Sequence, residues 1–200
     1  MNVFLVIHTE KVGDPKVRKK MLDFGRSLQG KIRPVAAVTT PLSVVYEGSN
    51  DFADSLKELD RYFDIQMHGH YRDRAASNFQ NEYDLLCKVG FKPSAYAGGW
   101  WIMNEIIAGQ LDRNGFKWDT TINNKGVDSF GNPQSLPTHH KFMEVPTWRD
   151  FKMPRIWVTD TCCVSIHDFD LLNPSLRGKL WIHEMKRKAL ASKVKSFEEI

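Results

Sequence analysis

What most constrains this chain is an alternation. Short apolar runs take turns with longer amphipathic stretches, five times over between residues 3 and 122. Val3-Phe4-Leu5-Val6-Ile7 is apolar throughout, as suits a strand buried on both faces. Asp14-Pro15 then signals a helix start. Val17, Met21, Phe24 and Leu28 follow at helical spacing, and Gly30 closes the segment. The cycle repeats. Val35 to Thr40 reads as a second strand, and Phe52, Leu56, Leu59 and Phe63 form a helix stripe capped by Asn50 or Asp51. Asp64 to His68 is a third strand, followed by a helix marked by Phe79, Tyr83, Leu86 and Cys87. Ser94 to Ala97 is a fourth, followed by Ile102, Ile106, Ile107 and Leu111; Phe116 to Ile122 is a fifth. Such alternation implies βα units and a mostly parallel sheet or barrel.

Beyond this point the pattern loosens. Asn123 to His140 is rich in Gly, Asn and Pro, and a connection that long in a compact domain tends to line a functional cleft. Strand-like runs return at Phe142 to Val145, Arg155 to Thr159 and Leu180 to His183, and Lys186 to Lys195 reads as a basic amphipathic helix. At 200 residues, with no repeat or linker, the chain is expected to form one domain spanning residues 1–200.

Composition narrows the partners. The net charge of +4 arises from 28 basic and 24 acidic side chains spread along the chain, without the basic stripe of a nucleic-acid binder. No run has the length of a membrane span. The three cysteines, Cys87, Cys162 and Cys163, are odd in number and lack CxxC spacing, so they are read as reduced packing residues. Val3 to Ile7 is too short for a signal segment, which makes a cytoplasmic location the default expectation.

In parallel βα architectures functional groups gather at the C-terminal ends of strands. His8 and Glu10 follow the first strand, and His68-Gly69-His70 ends the third. Gly98, Gly99 and Trp100 end the fourth, Asp119 lies in the fifth, and His183 ends the last expected strand. Alternate residues of a strand share a face, so the HxH pair can present two imidazoles to one metal ion. Glu10 is the acidic ligand candidate. Arg72, Asp73 and Arg74 form a charged cluster that could meet substrate or simply be a solvated loop. Trp100 and Trp101 could wall a sugar site, with at least one of them in the core. Of the adjacent His139 and His140 in the long loop at most one could reach an ion, and a solvated pair is the more ordinary reading; His167 is assigned no role.

The ordered segments Ile7-His8-Thr9-Glu10, Ile65 to His70, Tyr96-Ala97-Gly98-Gly99-Trp100 and Gly115 to Asp119 resemble the polysaccharide deacetylases of the NodB-homology type. They are most like a subgroup tied to O-antigen and other surface-glycan synthesis. The resemblance implies a distorted (β/α) barrel of about seven mostly parallel strands. It also implies a divalent metal, zinc by preference, held by one carboxylate and two histidines, and hydrolysis of the acetyl group of an N-acetylated sugar. In that frame Glu10, His68 and His70 are the metal ligands, His8 the base and His183 the acid. Arg72, Tyr96, Gly98, Gly99, Trp100 and Asp119 contact substrate. The chain departs from the family pattern at three positions: His8 where an aspartate is expected, Arg72 where the second histidine is expected, and Tyr96 in place of an arginine. The alternatives are a carbohydrate-binding protein on the same scaffold that has lost catalysis, and another HxH metal hydrolase.

Overall fold

The computed structural model describes residues 2–48, 51–71, 76–123, 125–134, 138–148, 161–172 and 174–192. Eight strands form one sheet: β1 (Asn2–Thr9), β2 (Val35–Val38), β3 (Asp64–Gly69), β4 (Ala95–Gly98), β5 (Trp118–Asp119), β6 (Met143–Glu144), β7 (Thr147–Trp148) and β8 (Thr161–His167). Its order is β6-β5-β4-β3-β2-β1-β8-β7, and every pairing is parallel. Five helices accompany it: α1 (Pro15–Arg26), α2 (Phe52–Asp60), α3 (Phe79–Lys88), α4 (Glu105–Asn114) and α5 (Leu176–Leu190).

The two ends of this order are one piece of chain. β6 and β7 are separated only by Val145 and Pro146, and proline cannot donate to a ladder. On one side the segment donates from Val145 N to Asp119 O at 2.7 Å and from Thr147 N to Ile122 O at 2.8 Å. On the other, Pro146 O accepts from Cys163 N at 2.9 Å. Counted as a single interrupted strand, it closes the sheet into a distorted seven-stranded (β/α) barrel, the architecture expected from the sequence.

Strand alternation sorts the core into two layers. One side of the sheet carries Val3, Leu5, Ile7, Ala36, Val38, Ile65, Met67, Tyr96, Cys162, Val164 and Ile166 against the helices, whose buried faces supply Met21, Leu56, Leu59, Phe79, Leu86, Ile107 and Leu111. The other side fills the barrel with a small cluster: Phe4, Val6, Val35, Ala37, Ala95, Ala97, Trp118, Val145 and Cys163. Three of its nine members are alanines, which a barrel this narrow requires.

The helix boundaries follow local chemistry. Asp14 caps α1 by accepting from Lys16 N and Val17 N, with Pro15 in the first turn. Asn104 caps α4 by accepting from Ile107 N, and Gly115 ends it in the left-handed conformation at φ 73°.

Two expectations are corrected. Leu180 to His183 is not a strand but the middle of α5, capped by Ser175, whose hydroxyl accepts from Gly178 N. Leu180-Trp181-Ile182 is too short an apolar run to fix a period, whereas Trp181, Ile182, Met185 and Ala189 recur at helical spacing, and Met185 and Ala189 are buried. The strand beside β1 is Thr161–His167, which the sequence reading did not anticipate. The run expected at 155–159 lies outside the described residues. Cys87 is exposed, whereas Cys162 and Cys163 are buried on opposite sides of β8. Among the described residues no helix is long and apolar enough to cross a membrane.

Candidate metal centre

The barrel-facing rows of β1, β3 and β8 become polar at their C-terminal ends. On β1 the series Phe4, Val6 ends in His8, on β8 Cys163 and Ser165 end in His167, and His68 follows Gln66 on β3. Parallel register sets these ends level: His8 pairs with His167 and with Ala37, and His68 with Ala97. Three imidazoles therefore converge, the His8 ring lying 4.5 Å from that of His68 and 5.2 Å from that of His167.

Glu10 and His70 reach in from just beyond β1 and β3. Glu10 Oε1 lies 3.1 Å from His70 Nε2 and 3.6 Å from His68 Nε2, and the two Nε2 atoms are 3.0 Å apart. Among the described residues this is the one group of three His, Cys, Asp or Glu side chains placed to hold an ion. The donor set suits a divalent metal. Ligands about 2.0–2.1 Å from a tetrahedral centre stand about 3.3 Å from one another, close to the observed spacings. His68 Nδ1 donates to Ala97 O at 2.7 Å, which leaves the Nε2 lone pair directed at the cluster, as a ligand imidazole requires.

The protonation states agree. Burial pushes the His68 pKa down, against the opposing pull of Glu10, and keeps the ring neutral. Burial alone would raise Glu10, but the imidazoles gathered around it, with His70 at hydrogen-bond distance, outweigh that cost, so the carboxylate is held well below its usual range.

Packing behind the ligands explains the glycines. A Cβ on Gly99 would stand 2.3 Å from His70 Cγ, so the backbone of residue 99 is the floor on which that ring rests. Trp100 covers His70 edge-on, its centroid 4.6 Å away at 85°. Trp100 and Trp101 both adopt positive φ, 52° and 60°, which costs bulky residues on the order of 1–3 kcal/mol each. Trp101 is buried, 5.4 Å from His8, and is the core member of the pair.

Asp168 ties two strand ends together. Fully buried, it accepts from Lys11 N at 2.7 Å and from Phe169 N at 2.8 Å, and it also bonds the Glu10 backbone. Burial raises its pKa to about 6 despite these donors.

Other expected site residues fall elsewhere. His183 is exposed on α5 and ends no strand, which removes the ground for its acid role. Tyr96 is buried on the helix-facing side against Phe79 and Phe116, with its hydroxyl 3.4 Å from Gly69 O, so it packs and does not meet substrate. Asp119 is fully buried, accepts from Thr121 N and Oγ1, and neighbours Glu144. Burial raises both carboxyls, so the pair favours keeping a proton. Gly98 donates its N–H to Thr121 Oγ1 and is buried. Arg72 lies outside the described residues. His167 was missed. It stands at a strand end with its side chain 37% exposed and Nε2 3.8 Å from Glu10 Oε1. The signal for it was the run Cys162 to Ile166 immediately before it, which has the composition of a buried strand.

No family model matches the sequence, and no curated protein matches it. Solved structures do. A candidate polysaccharide deacetylase from Mycobacterium smegmatis superposes with a TM-score of 0.58 at 13% identity, over 94% of this chain and 84% of its own. One from Bordetella bronchiseptica, described as involved in O-antigen biosynthesis, gives 0.55 at 12% over 97% and 85%. The chitin deacetylase of Colletotrichum lindemuthianum gives 0.53 at 13% over 92% and 82%. At such identities the likeness is one of fold: this chain has the barrel that those proteins have, with a Glu-His-His cluster at its C-terminal rim.

Proposed function

We propose that the protein is a metal-dependent hydrolase that removes acetyl groups from an N-acetylated sugar of a glycan or glycan precursor. The observation that carries this reading is the Glu10–His68–His70 cluster, with donor atoms within 4.8 Å of one another at the open ends of the barrel strands. Zinc suits two imidazoles and one carboxylate with room for a further ligand. When bound, a divalent ion polarises an acetyl carbonyl and lowers the pKa of water.

The chain's own groups would handle the protons. Hydrolysis adds water across the amide C–N bond: hydroxide goes to the acyl carbon, giving acetate, and a proton goes to the departing nitrogen. His8, buried beside His68, would take the proton from water. His167, partly exposed at the mouth, takes the acid role first given to His183 and donates to the amine. Trp100 and Trp101 shield the inner wall. The O-antigen likeness of the sequence motifs agrees with a surface-glycan substrate.

The test is acetate release from N-acetylated sugars by the zinc-loaded protein. Turnover should disappear on chelation and return with zinc. Activity that survives complete removal of metal would contradict the reading, and a zinc-loaded protein that binds such sugars without releasing acetate would favour a carbohydrate-binding role instead.

A further inference from the structure

We infer that Glu82 and Tyr71 are positioning residues for the candidate metal centre: the carboxyl on α3 holds the phenol against Gly69 and so fixes the His68-Gly69-His70 turn from behind. The inference rests on the metal reading of the cluster and is independent of the substrate that the centre serves.

Tyr71 directly follows the second ligand histidine, and it is buried. Its side chain folds back over the turn. A Cβ on Gly69 would stand 2.5 Å from Tyr71 Cε2, 2.6 Å from Oη and 2.7 Å from Cζ, so the phenol lies on the backbone between the two ligands. The His70 ring rests in the same way on Gly99. His70 and Tyr71 are each seated on a glycine, and neither seat leaves room for a methyl group. The spacing of 3.0 Å between His68 Nε2 and His70 Nε2 depends on the backbone of this turn.

α3 holds the phenol in its seat. Tyr71 Oη donates to Glu82 Oε2 at 3.2 Å, and the Tyr71 ring lies 5.8 Å from that of Phe79, three residues earlier on the same helix face. Glu82 is only 1% exposed, and among the described residues its one partner is that phenol. Burying a carboxyl with a single neutral donor is unfavourable. A leucine at position 82 would fill the same face of α3 without that cost. Acidic residues do favour the first turn of a helix, but an exposed one meets that preference equally well. Packing and helix electrostatics therefore leave the burial of Glu82 unexplained, and an anchored phenol behind two ligands explains it. Groups that touch no ion can still orient the ligands that do.

Three measurements on four variants test this: zinc affinity by competition with a chelator, the visible spectrum of the cobalt-substituted protein, and the Tm of the metal-free protein. Tyr71→Phe and Glu82→Leu should each weaken zinc binding by about tenfold, the low end for groups that orient ligands, because the phenol holds backbone and not a ring nitrogen. The double variant should be no weaker than either single one, since both remove the same link. Glu82→Gln should keep the affinity, because its amide oxygen still accepts from the phenol. The cobalt bands should move in Tyr71→Phe and Glu82→Leu and stay in place in Glu82→Gln. Metal-free Glu82→Leu should melt no lower than wild type, which separates lost positioning from lost fold. Unchanged affinity and spectrum in Tyr71→Phe and Glu82→Leu, losses that add in the double variant, losses that come only with a lowered Tm, or a Glu82→Gln that behaves as Glu82→Leu would each overturn the proposal, while zinc bound by wild type would keep the centre. Wild type that binds neither zinc nor cobalt would remove the centre itself and the positioning role with it.

Discussion

Asp168 shows how a single buried carboxylate can set a rim. It touches no ligand atom, yet it fastens the backbone at Glu10 and Lys11 to the end of β8. Groups that orient ligands in this way typically contribute 10–100-fold to metal affinity. Asp168→Ala should therefore weaken zinc binding by about that factor, as read by competition with a chelator. An unchanged affinity would mean that Glu10 holds its position without the tether. His8 poses a different question, since its ring stacks near His68 and could bind metal or move a proton. If it is the base, His8→Ala should retain zinc and lose roughly 10²–10⁴ in turnover. Loss of zinc in that variant would make it a ligand instead. Among these residues Glu10, His68 and His70 were legible in the sequence, because a strand's period of two and the strand-end rule both act over a few residues. Asp168 and His167 were not, because their significance depends on β8 lying beside β1, more than 150 residues away in the chain.

At the scale of elements, β1 to β5, α1 to α4 and the C-terminal end of α5 were readable from periodicity and capping, whereas β8 and the earlier part of α5 were not. The difference is physical. The first helices carry long apolar stripes bounded by Asp14, Asn104 or Gly115, while Leu180-Trp181-Ile182 fits a strand or a helix equally well. α3 also carries a titratable group that couples its packing to pH. Glu82 is buried, and burial pushes its carboxyl up to about 7, only partly offset by the Tyr71 hydroxyl that donates to Oε2 at 3.2 Å. In the unfolded chain it titrates near its ordinary value of 4.5. The folded state thus binds the proton more tightly. This contribution to stability is fully present below pH 4.5 and is lost as pH rises through about 7, on the order of 3 kcal/mol in all. Denaturant melts at pH 5 and pH 8 should show a smaller pH dependence for Glu82→Gln than for wild type. Identical slopes would place Glu82 in water in the native state.

At the scale of the molecule, the barrel is closed by a segment that changes partners at Pro146, β6 on β5 and β7 on β8. The direct pairing of β8 with β1 sets His167 level with His8 on the rim that also carries His68, and the closure joins β8 back towards β5. The parallel βα architecture was legible in the sequence from alternation alone. The closure was not, because two-residue strands carry no period. The central claim is that this rim is a metal centre, and the most direct measurement is the metal content of the purified protein after equilibration with zinc and dialysis. The account predicts one divalent ion per chain. It predicts none in His68→Ala, with far-UV circular dichroism unchanged because His68 belongs to the rim and not to the apolar layers. Wild-type protein that retains no ion, or His68→Ala that retains it in full, would contradict the account.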